Sequence, residues 1–155
     1  MPAPIEPFQP LLAAATGLDL SDPDAAHAEL TRRFDPAGEA AEALRSTLID
    51  LLDEGAIAEK GDMPVKWGRV AKATDETSGF SIDVVLMNGA GPEHRHPSGE
   101  VNYCIALEGE PTFEDQPAGW VVMQNGSTHV PTVAGGTMLI VYLLPGGEIE
   151  FLKQG

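Results

Sequence analysis

The spacing of hydrophobic residues changes near residue 62 of this 155-residue chain. In the first part, apolar residues recur at every third or fourth position, which is the period of an amphipathic helix. In the second part, apolar and polar residues alternate over short runs bounded by glycine and proline, as in half-buried strands. The pattern therefore predicts an N-terminal helical extension over residues 1–62 and a β domain over residues 63–155.

Three helices are predicted in the first part, the shortest of them from Leu11 to Thr16. Asp22-Pro23 and Asp35-Pro36 each combine a helix-capping residue with a proline suited to the first helical position. We therefore expect the second and third helices to begin there. The third helix should end at Gly55 and carry one apolar face, made of Ala41, Leu44, Leu48, Leu51 and Leu52.

Strand-like alternation is clearest in two runs of the second part. One run has apolar residues at positions 80, 82, 84 and 86, and the other has them at positions 101, 103, 105 and 107. Further apolar runs cover residues 120–123 and 138–144, and turn-forming pairs such as Asn88-Gly89, Asn125-Gly126 and Gly135-Gly136 separate the runs. Many short strands without intervening helices indicate a sandwich or a barrel.

The charge of the chain limits its partners. The net charge is −15 and the isoelectric point is near 4.4, so phosphate backbones and anionic membranes are repelled and we expect neither nucleic acid nor membrane as a partner. The N-terminus has no basic leader, and no apolar run reaches the ~18 residues of a membrane span. We therefore expect a cytoplasmic protein. Cys104, the single cysteine, lies in an apolar run and is expected to be a buried thiol.

Three of the four histidines lie in two short clusters, His94-Arg95-His96 and Gly126-Ser127-Thr128-His129. On a strand, the imidazoles of His94 and His96 point to the same side. With Glu100 and His129 they would complete a mixed nitrogen and oxygen metal site, which suits iron, manganese, zinc, nickel or copper better than calcium. The alternatives are a polar turn without function and a metal-free barrel in which these side chains act as acid/base groups.

The spacing His94-x-His96-x3-Glu100, followed by Gly126-x2-His129, resembles the two motifs of the cupins. That resemblance implies a jelly-roll β-barrel with these four residues as ligands of a divalent transition metal, such as iron, manganese or zinc. The predicted fold class is therefore mainly β, a cupin barrel with an N-terminal α-helical extension. Barrel edges are often covered by a second subunit, so we expect a homodimer or a larger homo-oligomer.

Segments at residues 66–70, 79–86, 119–122, 129–133 and 143–151 resemble the 4-hydroxylaminobenzoate lyase family. The resemblance implies that the chain converts 4-hydroxylaminobenzoate to 3,4-dihydroxybenzoate and releases ammonia, in the bacterial breakdown of 4-nitrobenzoate. No electrons leave the substrate in this reaction, so no nicotinamide or flavin is expected, and the chain has no G-x-G-x-x-G phosphate-binding motif after a strand. The alternatives are another metal-dependent cupin enzyme, such as a dioxygenase or an isomerase, and a cupin that only binds a small acid.

A benzoate substrate needs a cation to bind its carboxylate. An arginine guanidinium can donate two parallel hydrogen bonds to a carboxylate. Arg95 lies between two inward-pointing histidines and should point outward, so Arg69 is favoured, with Lys66 second. A solvated surface charge is the alternative for each. Tyr103 and Trp120 could stack on the substrate ring, and packing in the core is the alternative for both.

Overall fold

The computed structural model describes residues 5–97, 99–124, 126–147 and 149–151. The described residues leave out the outer ends of both predicted domains. They also leave out Asn125, in one predicted turn, and Glu148, in the C-terminal segment at residues 143–151. The helical elements occupy the first part of the chain and the strands follow, as the change in hydrophobic period predicts. Among the described residues, none of the helices combines the length and the apolar character that crossing a bilayer requires.

From residue 5 onward, the described N-terminal part contains three α-helices: α1 Gln9–Ala15, α2 Pro23–Arg33 and α3 Glu39–Asp53. Helix α2 begins as predicted, because the Asp22 side chain accepts a hydrogen bond from the Ala25 backbone at 3.2 Å. The predicted start of the third helix at Asp35-Pro36 is wrong. Asp35 instead closes a turn, in which its side chain accepts from the Ala37 N–H at 2.9 Å, and the helix begins after Gly38.

Ten strands follow in the part of the chain that the structure describes, and every pairing between them is antiparallel. They are β1 Lys60–Asp62, β2 Val65–Ala71, β3 Phe80–Met87, β4 His94–His96, β5 Glu100–Phe113, β6 Gln116–Pro117, β7 Gly119–Met123, β8 Ser127–His129, β9 Val133–Pro145 and β10 Glu150–Phe151. The large sheet has the order β1-β2-β3-β9-β5-β6, with β7 also paired to β5, and the small sheet has the order β10-β4-β8. These two sheets and the helical extension confirm the predicted fold class.

The large sheet is buried on both faces by two different sets of residues. One face packs against the helices and carries the predicted alternating residues, including Ile82, Val84, Val101 and Leu143. We call it the helix face. The opposite face, which we call the barrel face, carries a second apolar cluster, including Val85, Met138, Ile140 and Tyr142.

Aromatic side chains join the helices to the helix face. Phe34, which follows α2, makes edge contacts with Tyr103 and Trp120 at ring-centre distances of 5.4 and 6.2 Å. The Trp120 indole N–H donates to the Phe34 carbonyl at 2.9 Å, and the Arg45 guanidinium donates to the Ala106 carbonyl at 3.2 Å. The domain boundary at residue 62 stays a prediction, because β1 ends at that residue and pairs with β2 just beyond it.

Candidate metal centre

Three histidines meet on the small sheet because of its strand register. His94 and His129 are direct cross-strand partners of β4 and β8, and His96 lies two positions further along β4 on the same side. The Nε2 atoms of His94 and His129 are 2.9 Å apart, and those of His96 and His129 are also 2.9 Å apart. The predicted convergence of these imidazoles therefore occurs.

The fourth residue, Glu100, comes from the large sheet. A tight turn after β4 leads directly into β5, and Gly99 within it has a φ of +88°. A Cβ at Gly99 would lie 2.8 Å from the Leu20 side chain, so both the backbone conformation and the space favour glycine there. This turn brings Glu100 from one sheet to face the histidines of the other.

The four side chains form one compact group that we call the ligand cluster: His94, His96, Glu100 and His129. One ligand atom from each lies within 4.8 Å of all the others. Glu100 Oε2 contacts His96 Nε2 directly and lies 3.6 Å from His129 Nε2 and 3.9 Å from His94 Nε2. The cluster therefore presents three imidazole nitrogens and one carboxylate to a single point.

Burial and mutual contacts shift the pKa values of His94 and Glu100 in the ligand cluster. Burial lowers the pKa of His94 to about 4, so this imidazole is neutral at physiological pH. Burial alone would raise the pKa of Glu100, but the close His129 and His96 imidazoles outweigh it and lower the pKa to about 2. The cluster thus combines a fully buried carboxylate with a neutral imidazole, which are the forms that bind metal ions.

The donor set fits a divalent transition metal. Bonds of about 2.0–2.2 Å from one ion to imidazole and carboxylate are compatible with ligand atoms this close together. Neither carboxylate oxygen of Glu100 has a donor in hydrogen-bond geometry among the described residues, although its side chain is 0% exposed. A buried carboxylate in that position is costly without a positive partner, which a metal ion would supply.

A cavity of about 610 Å³ opens beside the cluster between the two sheets. His94 forms part of its wall, so the cluster and the cavity are connected. The rest of the wall is mostly apolar, with polar exceptions at Arg69, Asp83 and Tyr142. The volume is in the range that encloses a small organic ligand.

A family profile and two known proteins that resemble this chain in sequence carry the same name. The family profile described as 4-hydroxylaminobenzoate lyase, PnbB, matches residues 13–151 of the chain. The chain belongs to this family. The 4-hydroxylaminobenzoate lyase of Pseudomonas putida is 30% identical over 146 residues, covering 81% of this chain and 83% of its own. The enzyme of the same name from Nocardioides sp. (strain LMS-CY) is 33% identical over 91 residues, covering 54% of each chain.

Membership of the 4-hydroxylaminobenzoate lyase family makes the chain an enzyme of the lyase class, and it confirms the resemblance seen in the sequence. Among solved structures, an RmlC-like cupin from Ralstonia eutropha is similar, with a TM-score of 0.44 and 14% identity. The match covers 60% of this chain and 62% of that one. The fold assignment rests on the strand pairing of the lyase itself.

The residues predicted to bind substrate in the lyase lie in different places. Arg69 lines the cavity, where it pairs with Asp83 through Nε to Oδ1 at 2.7 Å and through a second contact to Oδ2 at 3.3 Å. Val65 and Trp67, on either side of Lys66 in β2, line the cavity, whereas Lys66 does not. The side chain of Lys66 therefore points to the other face of the strand.

Tyr103 and Trp120 lie on the helix face, where their rings contact each other at 4.9 Å and pack against Phe34. They are 3% and 1% exposed, and neither lines the cavity. Burial raises the pKa of Tyr103 to about 12, in agreement with a place in the core. Their position corresponds to the packing alternative, because Val101, Tyr103 and Ile105 of β5 face the helices while Cys104 faces the barrel.

Glu114 is a residue of the site that the sequence analysis did not single out. Its Oε2 lies 3.2 Å from His129 Nδ1, on the side of the imidazole away from the ligand cluster, and its Oε1 accepts from the Thr132 N–H at 2.9 Å. Burial would lower the pKa of His129, but Glu100 and Glu114 together raise it. No motif in the sequence marks Glu114, which lies 15 residues before His129 in the turn between β5 and β6.

Proposed function

We propose that this chain converts 4-hydroxylaminobenzoate and water to 3,4-dihydroxybenzoate and ammonia, in the breakdown of 4-nitrobenzoate. Family membership supports the reaction. The proposal for this site rests on one observation. A buried cluster of three histidines and one carboxylate borders a mostly apolar cavity that is large enough for a substituted benzoate.

The ligand cluster would hold a divalent transition metal such as iron, manganese or zinc through the Nε2 atoms of its histidines and the carboxylate of Glu100. When bound, such an ion supplies a Lewis acid for the hydroxylamine oxygen or for the attacking water. The burial of the cluster supports this assignment, since charge interactions are stronger where water is excluded.

The substrate would lie across the cavity with its two polar ends in different surroundings. The hydroxylamino group would face His94, and the aromatic ring would contact apolar wall residues such as Val85 and Leu144. Arg69 would bind the carboxylate with the guanidinium edge that its contacts with Asp83 leave available. Such an orientation would keep the hydroxylamino nitrogen and the adjacent ring carbon next to the cluster.

The reaction balances without an electron carrier. The N–O bond breaks and its hydroxyl group leaves as water, which makes the ring electrophilic. One water then adds to the ring carbon beside the nitrogen, and a second replaces the nitrogen, which leaves as ammonia. The net change is the addition of one water, so neither a nicotinamide nor a flavin is required.

Proton movement in the site would depend on the role of Glu100. As a ligand, its carboxylate stays ionised, in agreement with a pKa lowered to about 2. If Glu100 is not a ligand, it is the natural acid/base group, and its ionised Oε2 would first take a proton from water and then pass it to the leaving hydroxyl. Metal removal distinguishes the two roles, because activity would survive it only in the second.

The test is a turnover assay with purified protein and 4-hydroxylaminobenzoate. We expect ammonia and 3,4-dihydroxybenzoate in equal amounts, with no oxygen consumed. Oxygen uptake with ring cleavage would favour the dioxygenase alternative, and stoichiometric binding without turnover would favour a small-acid-binding protein. Cytoplasmic location and a homodimer or larger homo-oligomer are further predictions, which cell fractionation and size-exclusion chromatography with light scattering would test.

A further inference from the structure

Glu114 occupies the tip of a two-residue hairpin between β5 and β6, where Phe113 pairs with Gln116. Glu114 and Asp115 have φ values of +52° and +63°, so both adopt the left-handed conformation of a type I′ turn. Asparagine, aspartate and glycine are preferred there, and a glutamate is uncommon. Because glutamate is unfavourable in this backbone conformation, its presence indicates that its side chain has a role.

The Glu114 side chain connects the hairpin to the segment that carries His129. Its Oε1 accepts from the Thr132 backbone N–H at 2.9 Å, and the Glu114 N–H donates to the Thr132 carbonyl at 3.2 Å. These two hydrogen bonds fix the carboxylate in position. Its other oxygen then lies 3.2 Å from His129 Nδ1.

We propose that Glu114 is a positioning residue that keeps the His129 proton on Nδ1, so that the Nε2 lone pair is directed into the ligand cluster. A neutral imidazole carries one proton, and an acceptor beside one nitrogen determines where that proton stays. Carboxylates that act in this way on metal-binding histidines fix the ring and increase its basicity. The inference rests on the proposed metal site and adds a residue outside the ligand cluster.

A carboxylate is required because both of its neighbours are donors. The Thr132 N–H and the His129 Nδ1–H each need an acceptor, and glutamate offers one oxygen to each. Glutamine has the same shape but a single oxygen. In one orientation the amide nitrogen would face the Thr132 N–H, and two donors cannot form a hydrogen bond. In the other it would face His129 Nδ1, which would then have to act as the acceptor, so the imidazole proton would shift to Nε2.

The contact between Glu114 and His129 is at ion-pair distance, with an angle short of that of a hydrogen bond. Contacts at catalytic sites are commonly poorly aligned in the resting protein and straighten in the working complex. A small rotation of the His129 ring would align Nδ1–H with the carboxylate. We therefore expect the contact to be stronger in the metal-loaded protein than in the metal-free protein.

The experiment compares zinc binding by metal-stripped wild-type protein, Glu114→Gln and Asp115→Asn. Asp115 is the matched control, since it is the exposed neighbour in the same turn and asparagine tolerates its φ of +63°. We expect Glu114→Gln to bind Zn²⁺ about 10–100-fold more weakly, as for other residues that orient metal ligands. Asp115→Asn should bind as the wild type does.

Nitrogen-15 NMR of the histidine rings provides a second measurement that does not depend on activity, and its wild-type part does not require the variant to fold. We expect wild-type His129 to be protonated on Nδ1, in the zinc-loaded protein and in the metal-free protein at alkaline pH, and Glu114→Gln to move the metal-free ring toward the Nε2–H form. Wild-type His129 with its proton on Nε2 overturns the proposal, as does Glu114→Gln with unchanged zinc affinity. Wild-type protein that releases ammonia without binding metal would instead count against the metal part of the proposed function, and the tautomer would still decide the role of Glu114.

Discussion

The two faces of the large sheet each carry a buried apolar cluster, but they are chemically different. On the helix face, Ile82, Val84, Val101 and Tyr103 belong to one apolar cluster with the three helices. On the barrel face, apolar residues share the surface with polar residues that are fully buried, and these are Ser81, Glu100 and Asn102. The polar positions of the alternating pattern are therefore buried or partly buried on this face rather than exposed to solvent, and Asp83 among them lines the cavity.

One face of the sheet therefore contributes mainly to the stability of the fold, and the other face holds the groups that we propose bind and react. The helix face buries large side chains and contains few polar atoms, so substitutions there should change the free energy of unfolding. The barrel face buries the Glu100 carboxylate and the Asn102 amide, which is costly for folding but useful for binding an ion or a substrate. Mutations on the two faces should therefore have different effects.

The largest effect is expected from His96→Ala. The substitution removes one ligand and leaves the Glu100 carboxylate buried beside the space that the imidazole occupied. We therefore expect metal binding to be lost. We also expect kcat/KM to fall by roughly 10²–10⁴-fold, which is the range typical of groups that act in the chemical step. Circular dichroism would check that the fold is retained. His27→Ala, at an exposed helix position, is the control and should leave both properties unchanged. A folded His96→Ala protein with full activity would contradict the ligand assignment.

On the helix face, Leu48→Ala should act on stability alone. Leu48 is 0% exposed in α3, and truncation of such a side chain costs about 2–5 kcal/mol of unfolding free energy. Urea denaturation measures this loss, and steady-state kinetics below the transition should give an unchanged KM. A raised KM with unchanged stability would mean that the helices contribute to the substrate site, and the separation of the two faces would fail.

A smaller effect is expected at the cavity wall from Arg69→Met. If Arg69 binds the substrate carboxylate, KM should rise roughly tenfold, a modest change because the side chain is 40% exposed. The single variant also leaves Asp83 unpaired, which would itself repel the substrate. The double variant Arg69→Met, Asp83→Asn removes that repulsion, and an unchanged KM in the double variant would exclude Arg69 as the carboxylate ligand.

The smallest effect concerns Cys104, which lies in the apolar part of the barrel face. Burial raises the pKa of its thiol, so the reactive thiolate is scarce and reagents have little access. We expect Ellman's reagent to leave the native protein unmodified and to modify one thiol per chain after denaturation. Rapid modification of the folded protein would show that the barrel face is open to solvent at this position.

Local signals in the sequence predict most of the elements. Asp22-Pro23 identifies the start of α2 because capping depends on neighbouring residues only, and alternation predicts strands β3 and β5. The same signal fails at Asp35-Pro36, since an aspartate can close a turn as readily as it caps a helix. The ligand cluster is predictable because the spacing His94-x-His96-x3-Glu100 lies within one short segment.

Other features depend on tertiary contacts that the sequence does not encode locally. Alternation shows that Tyr103 and Asn102 lie on opposite faces, but it does not show which face borders the cavity. The contact between Glu114 and His129 requires the β5–β6 turn to meet the segment after β8, and no spacing rule indicates that approach. The pairing of Arg69 with Asp83 likewise follows from the register of β2 with β3.

The central claim is that the ligand cluster binds the metal ion on which the lyase activity depends. Elemental analysis of the purified protein, combined with the ammonia assay before chelation, after chelation and after the metal is restored, tests it most directly. We predict about one divalent transition metal ion per chain, loss of ammonia release with the ion, and recovery on its return. Full ammonia release from protein that contains no metal would contradict the claim.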